Sequence, residues 1–279
     1  MKDFEIYQGD CITLMNEKKI QADFSIFSPP FPSLYAYTSS PSDIGNSEGP
    51  EMKLHLSFFY RQLISAIKPG RVVIVHVAQI PRMKRAGGLG LYDFRGLNIR
   101  LAERAGFIFE YDWLIRKNPQ AQAIRTRSRE LQFSGLEKDR AATRGTLCDY
   151  LLKFRIPGTN AVPINDKDSV TRNQWIDWAE GAWFDIRETD TLNARAAKSP
   201  NDTKHICPLQ LSVISRCVRL FTNPGELVFS PFAGIGSEGY AALRLGRRFI
   251  GIELKPEYHA ACIKNLAGVE MEKAITLWA

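Results

Sequence analysis

The chain has 279 residues, 44% of them hydrophobic, and a formal net charge of +7. It is long enough for one large α/β domain, or a domain with a sizeable insert, around a buried core. No apolar stretch approaches the ~20 residues of a membrane span and the N-terminus lacks the apolar core of a signal peptide, so a cytoplasmic protein without membrane contact is expected.

Five cysteines (Cys11, Cys148, Cys207, Cys217 and Cys262) are widely spaced without a Cys-x-x-Cys pair, and four histidines form no cluster. Neither a disulfide framework nor a metal site is expected. The charge is unevenly placed. Residues 81–155 hold 16 Lys/Arg against 8 Asp/Glu, whereas the remainder holds 21 against 22. A phosphate-tracking surface requires such a block, although a solvated basic face reads the same way.

In chain order, strands are expected at Phe4–Tyr7, at Phe24–Phe27 and in the β-branched run Arg71–Val77, which suits a strand covered on both faces. A helix is expected over Met52–Ile67, with Leu54, Phe58, Leu63 and Ile67 near helical spacing and a stop at Lys68-Pro69-Gly70. A second helix, Asp93–Ala105, ends at Gly106 and leads into a strand over Phe107–Ile115, and Tyr150–Phe154 offers another. Past the turn Asn223-Pro224-Gly225 come strand Leu227–Phe229, a glycine loop, a helix over Ser237–Leu245 and strand Phe249–Glu253. Such repeated βα units predict a doubly wound, mostly parallel sheet.

Two stretches break the rhythm. Residues 118–146 are polar and carry Arg125, Arg127, Arg129, Arg140 and Arg144; residues 157–203 are irregular and carry Trp175, Trp178 and Trp183. Long loops in a compact fold are usually functional or disordered, while large aromatics are mostly buried, here as a small core beneath the insert.

Two motifs carry chemistry. Gly234, Gly236 and Gly239 satisfy Gly-x-Gly-x-x-Gly between a strand and a helix, and Glu253 closes the next strand. Glycines let the backbone approach a nucleoside cofactor, and an acid at that distance can accept from ribose hydroxyls. Both dinucleotides and S-adenosylmethionine fit this pattern. The loop's position separates them, because a dehydrogenase usually places it near the N-terminus, and here few residues follow it. The second motif, Ser28-Pro29-Pro30-Phe31, follows a strand. Its prolines fix φ and remove two donors, so carbonyls can point into a pocket, and an aromatic ring stands beside them. A flipped base needs such acceptors at its edge and such a ring on its face.

Together these residues resemble the amino-methylating DNA methyltransferases in which the catalytic motif precedes the cofactor loop. Ser28-Pro29-Pro30-Phe31 matches the catalytic tetrapeptide, and Ser230, Pro231, Phe232, Ala233, Gly234, Gly236 and Ser237 fall in the cofactor loop. Asp10 and Cys11 resemble the segment against the adenosine, and His205, Cys207 and Pro208 a short motif that encloses the methionine end, where Ser28 also lies. The family's loop usually begins with Asp, and Ser230 stands there instead, which leaves that contact to another group such as Asp10 or Lys204.

The resemblance implies a Rossmann-like fold with an inserted DNA-recognition region. Residues 1–117 would form the catalytic half, 118–203 the insert with a core strand near 149–155, and 204–279 the cofactor half. It implies S-adenosylmethionine as methyl donor, double-stranded DNA as partner and a homodimer, and it identifies no partner endonuclease. Tyr35 and the five arginines are the expected DNA contacts, with Tyr37 beside them. Ser at the first tetrapeptide position leans toward cytosine N4. The stretches 28–46 and 204–253 resemble orphan, prophage-borne enzymes, some acting on adenine, and adenine N6 is slightly favoured. A methyltransferase fold kept only for DNA binding, a nicotinamide-dependent oxidoreductase and an RNA methyltransferase stay open as alternatives.

Overall fold

The computed structural model describes residues 3–31, 44–46, 49–82, 90–126, 136–192 and 209–278. In chain order the elements are β1 Phe4–Gln8, α1 Cys11–Glu17, β2 Ala22–Phe27, α2 Gly49–Ala66, β3 Ile67–Ala78, β4 Ile80–Pro81 and β5 Leu91–Tyr92. There follow α3 Phe94–Ala105, β6 Ile108–Ile115, α4 Pro119–Thr126, β7 Asp149–Arg155, α5 Arg172–Trp178 and β8 Ala182–Trp183. The chain continues through α6 Leu211–Phe221, β9 Leu227–Ser230, α7 Ser237–Arg244, β10 Arg248–Glu253 and α8 Pro256–Trp278.

Eight strands form one sheet in the order β1-β10-β9-β2-β3-β7-β6-β8, and β4 pairs with β5. All neighbours in the large sheet are parallel except those of β7, which runs antiparallel to both β3 and β6. The expected mostly parallel, doubly wound sheet is therefore present. Its strand order reverses between β9, which leads outward to β10, and β2, which leads outward to β3. Ligands of open α/β sheets bind outside the carboxyl ends of strands at such a point.

Side chains along β2 and β3 alternate between two cores. Phe27, Val73, Val75 and Val77 pack with α1, α2 and α3 on one face, and Phe24, Ile26, Val72 and Ile74 with α6, α7 and α8 on the other. Burial on both faces explains the continuous apolar run of β3. The expected face of α2 needs correction. Leu63 is buried, but Leu54 and Phe58 are 55% and 48% exposed, and the buried set is Met52, Leu56, Phe59, Tyr60, Leu63 and Ala66. Leu54 lies nine residues before Leu63, about half a turn out of phase with it at ~3.6 residues per turn. Helix α3 has the expected ends, with Asp93 Oδ1 accepting from Gly96 N at 2.9 Å and Gly106 left-handed at φ 104°.

Within the irregular stretch, Trp178, Trp183 and Ile186 join the second core, and β8 extends the main sheet beside β6. The indole N–H groups of Trp113 and Trp183 both donate to the Trp178 carbonyl. Two of the three tryptophans thus sit in the main core, not in a satellite beneath an insert, whereas Trp175 is 64% exposed.

At the amino ends of β2, β3 and β9, a buried ion network fixes strand order. Arg71 donates through Nη1 to Glu226 Oε2 at 3.0 Å and through Nη2 to Asp23 Oδ1 at 3.3 Å. Asp23 also accepts from Lys68 at 2.7 Å and from Leu227 N at 2.9 Å. Arg71→Met would leave Asp23 and Glu226 short of a buried partner, which typically costs about 3 kcal/mol or more. Urea unfolding should show a loss of that size, and a loss under ~0.5 kcal/mol, the range of neutral surface changes, would refute the network's role.

Candidate active site

Parallel pairing sets Ser25 opposite Phe229, so the segments that leave β2 and β9 emerge side by side. Ser25 Oγ donates to the Phe229 carbonyl at 2.9 Å across 204 residues of sequence. Ser28-Pro29-Pro30-Phe31 continues β2, and the glycine loop continues β9. Phe232 of the loop packs against Phe27 at 5.7 Å and Phe59 at 4.9 Å between ring centroids. Pro29 is buried, and Phe31 is half-buried with its ring 5.3 Å from that of Phe94.

Backbone bonds shape the loop. Ala233 N donates to the Ile252 carbonyl and Gly236 N to the Ala233 carbonyl, each at 2.8 Å. Gly234 and Gly236 have φ of 53° and 91°, a region open to glycine at little cost. A Cβ on Gly239 would lie 2.6 Å from the Phe249 ring, so this glycine lets α7 approach β10. Glu253 accepts from Gly234 N at 2.8 Å and from Lys255 N at 2.9 Å. The Gly9 amide, at the end of β1, donates to the Glu253 carbonyl at 3.0 Å. These bonds tie the ends of β1, β9 and β10 together.

Polar groups beside these strand ends suit a polar ligand. Among the described residues the Ser230 and Ser237 hydroxyls are buried without a hydrogen-bond partner, and α7 begins at Gly236 with no side-chain cap. Burial, with the nearby Glu253 charge adding to it, raises the Glu238 carboxyl in the first turn of α7 to about 8. Asp10 accepts from Thr13 N at 2.9 Å as the N-cap of α1. The Cys11 thiol is turned into the first core, where burial first and Asp10 second raise it well above its ordinary value. Its side chain is part of the core packing, so what the segment can offer a ligand is its backbone and Asp10.

A chain of polar side chains that the sequence reading missed runs away from Ser28. Ser28 Oγ lies 2.7 Å from His76 Nδ1, and His76 Nε2 lies 2.9 Å from Asp149 Oδ2. Lys117 Nζ meets the same Asp149 oxygen at 2.5 Å. The four residues come from the ends of β2, β3 and β6 and the start of β7. Burial by itself would raise the Asp149 carboxyl, but His76 and Lys117 outweigh it and hold it at about 2. The signal available in sequence was a histidine inside the apolar run 72–77.

Among the expected DNA contacts, Arg140 is exposed and Arg144 half-buried, each with a donor on a nearby backbone carbonyl. Arg125 lies on α4, and its side chain lies outside what is described. Tyr35, Tyr37, Arg127, Arg129, Lys204, His205, Cys207 and Pro208 lie outside the described residues.

Residues 51–264 match the sequence profile of a DNA methylase family that covers N6 and N4 methyltransferases. YubD of Escherichia coli K12, named as a methylase, is 51% identical over 53 residues, which are 19% of this chain and 23% of that protein. The DNA adenine methyltransferase YhdJ of the same strain is 43% identical over 55 residues, 20% of this chain and 19% of YhdJ. The chain thus aligns with less than a quarter of either relative's length. In fold, the cytosine-N4-specific PvuII DNA methyltransferase superposes with a TM-score of 0.67 at 19% identity, over 95% of this chain and 86% of that one. With three quarters of its length matched by the family profile, this chain belongs to the DNA methylase family of N6/N4 methyltransferases.

Proposed function

We propose that the protein transfers a methyl group from S-adenosylmethionine to the exocyclic amino group of a base flipped out of double-stranded DNA, with adenine N6 as the preferred acceptor. The observation that carries this is the juxtaposition of Ser28-Pro29-Pro30-Phe31 with the glycine loop at the reversal of strand order. Similarity to the adenine enzyme YhdJ supports adenine. Cytosine N4 is the second reading, supported by a serine at the first tetrapeptide position and by the fold shared with the PvuII enzyme. The order of motifs supports a β-type arrangement, and the likeness of residues 28–46 and 204–253 supports an orphan enzyme of prophage origin.

The residues present fit the cofactor. Glu253 would accept from the ribose hydroxyls, while the orphaned Ser230 and Ser237 hydroxyls and the uncapped start of α7 would pair polar groups of its amino-acid end. When bound, S-adenosylmethionine supplies a methyl group on a positively charged sulfur. The protein's share of the work is alignment. An exocyclic amino group is a poor nucleophile because its lone pair is delocalised into the ring. Ser28 Oγ and the Pro29 carbonyl would accept its two N–H groups, favour a tetrahedral nitrogen and aim the lone pair at the methyl carbon. Phe31, seated against Phe94, would stack on the extruded base. Arg125, Arg127, Arg129, Arg140 and Arg144, with Tyr35, would hold the duplex, mainly through phosphates.

Incubation with S-adenosylmethionine and unmethylated bacterial DNA, followed by nucleoside mass spectrometry, should yield N6-methyladenine. N4-methylcytosine would move the acceptor to cytosine, and neither nucleoside, with cofactor binding proven, would refute the reaction on that DNA. Base stacking is worth roughly 1–3 kcal/mol, so Phe31→Ala should slow methylation ~10- to 100-fold with cofactor affinity nearly intact; lost cofactor binding in calorimetry would remove Phe31 from the base site. Charged hydrogen bonds contribute about 1.5–3 kcal/mol, so Glu253→Ala should weaken cofactor binding at least ~10-fold, and an unchanged Kd would place the ribose contact elsewhere.

A further inference from the structure

We propose that His76, held by Asp149, is the positioning residue that draws the Ser28 hydroxyl hydrogen away from the target base and accepts a proton through Ser28 during methyl transfer. This rests on the methyltransferase reading above.

The tautomer follows from the geometry. An ionised carboxylate only accepts, so His76 Nε2, 2.9 Å from Asp149 Oδ2, carries a hydrogen and donates it. In the neutral ring Nδ1 is then bare, and at 2.7 Å it accepts the Ser28 hydroxyl hydrogen. Ser28 Oγ therefore presents lone pairs, not a hydrogen, to an incoming amino group. A serine without this partner would be free to donate and would give the base no fixed acceptor.

The same chain disposes of the proton that the reaction releases. As the amino nitrogen bonds the methyl carbon, the carbon–sulfur pair stays with sulfur and the nitrogen becomes cationic. It returns to neutrality by giving one hydrogen to Ser28 Oγ as the Ser28 hydroxyl hydrogen passes to His76 Nδ1. The product is a neutral methylated base, an intact serine and an imidazolium facing Asp149, which later loses its proton to water.

The charges around His76 suit transient storage. One oxygen of Asp149 meets both His76 Nε2 and Lys117 Nζ. Cys148 and Tyr150 flank Asp149 in sequence, and the Tyr150 ring lies under Arg95, which is itself paired with Asp112. Purely structural bracing is an unsatisfactory account of the chain, because the Asp23–Arg71–Glu226 network already ties the strands at the other end of the sheet. The Ser28 chain lies at the carboxyl ends of β2, β3 and β6, where the tetrapeptide begins.

His76→Asn tests the proposal, since its amide oxygen can still accept from Ser28 but cannot take up a proton. General-base contributions are typically ~10²- to 10⁴-fold, so single-turnover methyl transfer should fall by that much, with cofactor affinity within about threefold. Asp149→Asn should lower the same rate, again with cofactor affinity held, because the amide no longer fixes the hydrogen on His76 Nε2. A merely structural role would lower cofactor binding and rate together, and that pattern or a His76→Asn rate within threefold of wild type overturns the proposal. Nitrogen NMR of the resting protein should show a protonated Nε2 and a bare Nδ1 on His76; a protonated Nδ1 refutes the relay whatever the protein methylates. A wild-type protein that shows the expected tautomer and binds S-adenosylmethionine, yet methylates no DNA, would instead sink the methyltransferase reading, and this proposal with it.

Discussion

The parallel pairing of β2 with β9 is the constraint on which the rest of the molecule depends. These strands lie about two hundred residues apart in sequence, yet Ser25 donates to the Phe229 carbonyl and Phe24 faces Val228. Because the strand order reverses between them, their connections diverge, the position at which open α/β sheets bind ligands. One strand delivers the tetrapeptide and the other the glycine loop. Loop closure over so long a chain is entropically costly, and the hydrophobic cores on the two sheet faces together with the buried Asp23–Arg71–Glu226 ions offset that cost. The ions sit at the amino ends of the strands, which leaves the carboxyl ends for chemistry.

Sequence made the two halves of the site legible because each is built from short-range signals. Glycine spacing, a strand before it and an acid after it marked the cofactor loop, and proline pairs after an apolar run marked the tetrapeptide. Strand positions near both motifs were readable for the same reason. The polar chain behind Ser28 was not, since its members come from four separate elements and only pairing of β3 with β7 and β6 with β7 brings them together. His76 stood in plain view inside a strand, but nothing local indicates which residue it faces.

Other differences have equally particular causes. Leu54 and Phe58 share a helix face with each other but not with Leu63, so a partial set of apolar spacings pointed to the wrong side of α2. The stretch around the tryptophans lacks a long periodic element. Its order comes instead from the two indoles that share the Trp178 carbonyl and from the two-residue strand β8, both of them tertiary features. Helix α8, with 23 residues, lies against β1, β10 and α7, and its length was not marked by any cap in sequence.

The identity of the first tetrapeptide residue links these observations. An aspartate there would be both acceptor and proton reservoir, since a carboxylate can take up a proton and become neutral. Serine is an acceptor only while its own hydrogen is directed elsewhere, and it cannot hold an extra proton at neutral pH. A serine at this position therefore requires a second group behind it, within hydrogen-bond reach and able to titrate. His76 Nδ1 occupies that place, and Asp149 and Lys117 set the charge around the ring. On the proposed mechanism, splitting acceptor and reservoir between two residues would also keep formal charge off the atom that meets the base. On this reading the protein tunes its site through the groups that stand behind the Ser28 hydroxyl, so replacing Ser28 by aspartate would not reproduce its chemistry while His76 and Asp149 remain in place.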